Sequence, residues 1–226
     1  MIGIIGAMKV EVDAIIEIAS DRQEKRIGAI KFTTGKINDK EVVIAQCGIG
    51  KVFAAMCAES MILNFNPEYI LNVGVAGSLS HKLDVASIAI STSLVQHDLD
   101  TSPLGDPIGM ISGLNIVNIP ADRTLIKEVE RAVTSVGLEY ETGVIASGDQ
   151  FVNSQEKKDW IKEKFNAIAC EMEGAAIAQV AYVNNVPACV IRAISDSADG
   201  SSHVDFAEFT KIAIINSIKV IEELIK

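Results

Sequence analysis

Short apolar runs that end in glycine or in an acidic residue alternate along this chain with segments whose apolar positions recur every three or four residues. That alternation is the mark of strands and helices taken in turn. Residues 1–7, MIGIIGA, are almost wholly apolar, as a central strand covered on both faces must be. Val10, Ala14 and Ile18, with Ile15 alongside, predict a helix, and the polar stretch Asp21 to Arg26 its exit. Residues 29–36 and 41–47 read as a hairpin about Asn38-Asp39, before a glycine-rich corner, CGIGK, at 47–51. An alanine-rich helix over 52–64 offers Ala54, Ala55, Ala58, Met61 and Leu63 for close packing on a sheet, and Pro67 stops it.

Buried strands are predicted at 69–79 and 86–96, the second rich in β-branched residues. Residues 97–121, punctuated by prolines and glycines, form a long irregular excursion of the kind that serves function or assembly. Helix 122–136, strand 140–147, helix 154–164 with Asn153 as N-cap, strand 166–170, helix 173–183, strand 187–195 and helix 206–225 complete the pattern. No linker, repeat or low-complexity tract interrupts it, so the expectation is one α/β domain over 1–226, with a twisted mixed sheet flanked by helices.

Composition narrows the function classes. Hydrophobic residues make up 49% of the 226 and charged residues 22%, which is globular and apolar enough to bury surface in an oligomer. The net charge of −10, with no Lys/Arg cluster, excludes a nucleic-acid or anionic-membrane partner. Cys47, Cys57, Cys170 and Cys189 lack zinc-ligand spacing and read as free thiols of a reducing compartment. No stretch approaches the length of a membrane span and the N-terminus lacks a basic leader, so a cytoplasmic protein is expected.

The candidate chemistry lies in carboxylates placed where apolar runs break off, because a charge beside a buried strand is costly unless something compensates. Glu11 follows MIGIIGAM, whose GxxG lacks the spacing of a dinucleotide fingerprint; taken alone, it could be a first-turn carboxylate complementing the helix dipole. In ACEMEGAA, Glu171 and Glu173 would share one face if the strand runs through both, with Met172 facing the other way. The alternative is a strand end followed by a helix starting at Glu173. In VIRAISDSADG, Asp196 stands just past a strand beside Arg192 and Ser195, either as an acid able to protonate a nitrogen leaving group or as a turn residue paired with Arg192. Phe151 in SGDQFVN is an aromatic at another strand exit, fit to stack on a base or to fill a core. His97, beside Asp98 and Asp100, has no companions at metal spacing and reads as a hydrogen-bonded structural or interface histidine.

Together GIIGAMKVEV, CGIGKV, NVGVAGSL, QHDLD, SGDQFVN, CEMEGAAIAQVA and IRAISDSAD, in order over almost the whole chain, resemble the bacterial 5′-methylthioadenosine/S-adenosylhomocysteine nucleosidases of the purine nucleoside phosphorylase superfamily. The resemblance implies a single-domain, three-layer phosphorylase/hydrolase-like fold, no cofactor and no metal, and a homodimer whose 100–112 loop helps close the neighbouring site. It implies that Glu11 activates water with Arg192 at the same end, that Glu173 takes the ribose hydroxyls with Met172 against the sugar, and that Asp196, supported by Ser195, serves the adenine. It also implies that Phe151 stacks on the purine while the Val152 backbone reads its edge. Glu171 and Val75 fall in the same pocket, Ile49 and Phe206 line the sugar and 5′-thio end, and Leu104 arrives from the partner. Related phosphorylases place arginines around a phosphate, whereas Glu11, Asn72 and Val75 stand at the corresponding places here, which favours water as nucleophile. A non-catalytic nucleoside-binding module is the alternative from outside enzymology.

Overall fold

The computed structural model describes residues 1–196 and 206–226, the side chains of 206–210 excepted. The chain runs β1 (Ile2–Gly6), α1 (Lys9–Ile18), β2 (Ser20–Ile27), β3 (Ile30–Ile37), β4 (Lys40–Gln46), α2 (Lys51–Phe65), β5 (Tyr69–Ser78), β6 (Ile88–Gln96) and β7 (Ile119–Pro120). It continues through α3 (Arg123–Ser135), β8 (Tyr140–Ser147), α4 (Gln155–Phe165), β9 (Ala167–Glu171), α5 (Gly174–Val183), β10 (Ala188–Asp196) and α6 (Phe206–Leu224).

All strands belong to one mixed sheet, ordered β10-β6-β8-β9-β5-β1-β4-β3-β2, with β10 also paired to β5 and β7 to β6. The extra pairing closes β5, β9, β8, β6 and β10 into a ring, from which β1, β4, β3 and β2 extend as an open wing. Strand β5 manages both because it is long: β1 takes Tyr69 to Val73 along one edge, and β9 takes Gly77 and Ser78 beyond it. β1 is buried at every residue since both its faces are covered. Ile2 and Ile4 join a cluster with α1, α3 and α6, while Ile5 joins a second cluster with α2 and α5, which makes three layers.

The hairpin stands as expected, with Asn38 and Asp39 both at positive φ in its turn. Three expectations are corrected. Residues 20–27 are not a helix exit but strand β2, antiparallel to β3 and exposed almost throughout. Its charges suit an edge that must not recruit another strand, and a strand with no buried face carries no apolar period to betray it. The N-cap of α4 is Ser154, whose hydroxyl accepts from Lys157 N, rather than Asn153. Strand β9 stops at Glu171 and Glu173 caps α5, so these two carboxylates are not successive same-face positions of one strand.

Candidate active site

Glu11 lies in the first turn of α1 and is 5% exposed. Its Oε2 accepts from the backbone N–H of Ala7 at 3.0 Å and of Met8 at 2.8 Å, and its Oε1 from Val75 N at 3.2 Å. Burial pushes its carboxyl above the usual range, with the Met8 N–H and the Arg192 charge pulling the other way. The approach to β5 is so close that a Cβ at position 74 would stand 2.9 Å from Oε1, which only glycine avoids.

Glu171, at the end of β9, organises a buried polar cluster. It accepts from Glu173 N at 3.0 Å and Gly174 N at 2.8 Å, so it caps the N-terminus of α5, where a negative charge is favoured. It also accepts from the Ser147 hydroxyl and from Arg192 Nη2. Burial would raise its pKa, but Arg192 and these donors outweigh it and hold the group below the usual range. Arg192, 1% exposed, donates further to Asn72 Oδ1 at 2.6 Å and to the Asn72 carbonyl at 3.3 Å. Arg192 is thus the partner of Glu171, not of Asp196.

Glu173 receives the Gly50 N–H at 2.9 Å from the glycine-rich corner. Burial, and then the charge of Glu171, push its pKa up to about 7. Asp196 closes β10, opposite Gly77 in the β5 register. Its Oδ1 accepts from the Ser195 hydroxyl at 3.2 Å, and its Oδ2 meets Lys158 Nζ at 3.2 Å.

These strand ends open on one cavity of about 260 Å³, near the lower end of small-molecule sites, which start at about 300 Å³. Glu11, Ile49, Val75, Phe151, Val152, Glu171, Met172, Glu173, Ser195 and Asp196 all line it. Arg192 does not, and lies behind it, bonded to Glu171 and Asn72. Leu104, 83% exposed in a 3-10 turn, does not line it either. The Phe206 side chain lies outside the described residues. Reading the sequence missed Met8 and Gln150 on the wall. It also missed Asp149, which accepts Lys51 N at 2.8 Å and so ties the Phe151 loop to the start of α2. His97 is buried, but its ring nitrogens find no hydrogen-bond partner among the described residues, contrary to expectation. Burial, foremost, pushes its pKa down.

The chain as a whole, residues 1–226, matches the family model described as Phosphorylase superfamily. It is 40% identical over 227 residues to the 5′-methylthioadenosine/S-adenosylhomocysteine nucleosidase of Staphylococcus haemolyticus, covering all of this chain and 99% of the relative. Among solved structures it resembles an aspartate-to-asparagine mutant of the Helicobacter pylori nucleosidase with 5′-methylthioadenosine in the active site: TM-score 0.94, 38% identity, 99% of this chain and 96% of that one. The futalosine hydrolase of Helicobacter pylori strain 26695 is as similar in shape, with TM-score 0.93 and 37% identity over 99% of this chain and 96% of that one. With a full-length match, identity well above that of fold likeness alone, and a cavity at the carboxyl ends of the strands, the chain belongs to the phosphorylase superfamily.

Proposed function

We propose that this protein hydrolyses the N-glycosidic bond of 5′-methylthioadenosine, S-adenosylhomocysteine and 5′-deoxyadenosine, releasing adenine and the 5′-substituted ribose. The observation that carries the reading is that one cavity joins Glu11, Glu173 and Asp196. As the C1′–N9 bond breaks, its electron pair moves into the purine and a proton passes from the Asp196 carboxyl to N7. Positive charge develops on the ribose at the same time, and the negative charge that Glu173 carries above about pH 7, with the Glu11 carboxyl beside it, favours it. Water then bonds to C1′ and gives its proton to Glu11, which the Ala7, Met8 and Val75 N–H groups hold in place. Glu173 accepts from the ribose hydroxyls, with Met172 against the sugar, while Phe151 stacks on the base, the Val152 backbone reads its edge, and Ile49 lines the 5′ end. The division of labour parallels two-carboxylate glycoside hydrolysis, except that the acid protonates a ring nitrogen.

Phosphorolysis needs an anion pocket. The carboxylate of Glu11 and the methyl groups of Val75 are poor company for phosphate, and Asn72 is engaged by Arg192. Purified protein given 5′-methylthioadenosine should therefore release free adenine, read by chromatography, in the absence of phosphate. Strictly phosphate-dependent release overturns the hydrolase, and no release in either condition favours the binding module. The likeness to a futalosine hydrolase supports testing futalosine beside the three adenine nucleosides.

The protein is also proposed to be a cytoplasmic homodimer acting in methionine salvage and nucleoside catabolism. Support for a dimer comes from exposed Val52, Phe53, Met56 and Leu63 along α2, next to Ile49 and Phe151 at the cavity mouth. Leu104 and the 100–112 loop would then complete the neighbouring site; a monomer in sedimentation velocity at micromolar concentration overturns that assignment. No described helix is long and apolar enough to cross a membrane.

The raised pKa of Glu173 has a measurable result. Its carboxyl, near 7 when folded and 4.5 by its ordinary value, keeps a proton in the native state that the unfolded chain has already lost. Its stabilising contribution is therefore full below about pH 4.5 and is lost as pH rises through 7, a change of about 3 kcal/mol. The melting temperature of the ligand-free protein should fall across that window. Glu173→Gln should flatten most of the slope, Glu11 leaving a residue of the same sign; the full wild-type slope in that variant overturns the assignment.

A further inference from the structure

Helix α4 is polar almost throughout, and its buried side chains are Lys158, Ile161 and Phe165. Spaced three and four apart, they form the stripe by which the helix meets the sheet, so Lys158 stands where an apolar residue is ordinarily required. It is 4% exposed, and burying an ammonium costs several kcal/mol unless a carboxylate compensates. Among the described residues its ionic partner is Asp196, with Nζ 3.2 Å from Oδ2. The same carboxylate is crowded by β5, where a Cβ at position 77 would lie 3.0 Å from Oδ2. Oδ2 is therefore held between the ammonium and the bare backbone of Gly77, while Oδ1 takes the Ser195 hydroxyl.

We propose that Lys158 is a positioning residue for leaving-group protonation: from behind the cavity it fixes the carboxyl of Asp196 and balances the charge that this carboxyl acquires when its proton passes to the base. The inference rests on the assignment of Asp196 as the acid in the proposed function. Lys158 does not line the cavity, so it acts through Asp196 and not on the substrate. The step balances once the source of the proton is named: the Asp196 carboxylate, paired with the ammonium, takes a proton from solvent through the cavity as the base arrives, passes it to N7 as the C1′–N9 electron pair enters the purine, and returns to the ammonium as a carboxylate. An apolar residue at 158 keeps the buried stripe with Ile161 and Phe165, and the Asp196 side chain, 17% exposed, would not be left as a sealed unpaired charge. Fold and catalysis therefore make separable demands on this position.

The test compares two leaving groups on the full-length protein. 5′-Methylthioadenosine needs its base protonated, whereas the 4-nitrophenyl riboside of 5-methylthioribose releases a stable phenolate that does not. Lys158→Met should lower kcat on 5′-methylthioadenosine on the order of 10- to 100-fold, as loss of an outer-shell partner does, with little change in KM. It should leave the nitrophenyl riboside unaffected and the melting temperature unchanged or higher, and Lys158→Arg should restore most of the lost rate. Equal losses on both substrates, or an unchanged kcat on 5′-methylthioadenosine, overturn the proposal. Should the methionine variant not fold, Lys158→Gln, which keeps a donor but no charge, carries the same comparison. Asp196→Asn measured alongside separates the two levels: if it too spares 5′-methylthioadenosine, the acid assignment itself fails, whatever Lys158 does.

Discussion

Asp196→Asn should lower the rate of adenine release from 5′-methylthioadenosine about 10²- to 10⁴-fold, the range by which a positioned general acid accelerates a reaction. The substitution is nearly isosteric. Ser195 can still donate to the amide oxygen, and the strand pairing of Asp196 with Gly77 involves only backbone. The cavity should survive, although the buried Lys158 ammonium loses its carboxylate and the melting temperature should fall with it; what disappears from the chemistry is the transferable proton. Departure of adenine as an anion then has to proceed unassisted, so the loss should appear in kcat with nucleoside binding largely retained. Single-turnover adenine release, together with calorimetric binding of the same nucleoside, checks the prediction. A variant within a factor of a few of wild type, or one that loses binding instead of turnover, removes Asp196 from the role of acid.

The parts of this protein that were legible in its sequence are those in which one residue breaks a strong pattern. Glu11, Glu173 and Asp196 each interrupt an apolar run, and a charge in such a place requires a reason. The buried strands were legible for the converse reason: Ile4, Leu71 and Val190 belong to runs that only a covered sheet accommodates. Strand β2 was not, because every one of its first seven residues is exposed, so no apolar period marks its pairing with β3. Closure of the strands into a ring was hidden too, since pairing of β10 with both β5 and β6 is a property of register and leaves no periodic trace.

Spacing alone left the partners of the buried charges open. Arg192 and Asp196 are four apart in sequence, yet on a strand the guanidinium reaches across to Glu171 and Asn72, and Asp196 receives Lys158 from a helix. Lys158 did leave a signal, for it falls in line with Ile161 and Phe165 in an otherwise polar helix; a lysine there reads as a solvated residue until the stripe is drawn. The glycines of NVGVAGSL are the places where β5 gives up side chains so that Glu11 and Asp196 can lie against its backbone.

Glu11→Gln should cost about 10²- to 10⁴-fold in adenine release as well, for a different physical reason. In the native site Oε2 accepts the Ala7 and Met8 N–H groups, and Oε1 accepts that of Val75. A glutamine can present its carbonyl to one of these sets only, so its NH₂ must face a backbone N–H that has lost its acceptor, a mismatch costing about 1 to 3 kcal/mol of stability. The variant also cannot take a proton from water. The two defects are separable by measurement. Loss of the base should lower hydrolysis of both adenine and nitrophenyl ribosides, because water attacks C1′ in either case, whereas Asp196→Asn should spare the second. Thermal melting reads the donor mismatch independently of turnover. If Glu11→Gln discriminated between leaving groups as Asp196→Asn is expected to, water activation would have to be reassigned to another group, and Glu173, whose carboxyl is held near 7 within the same cavity, is the next candidate.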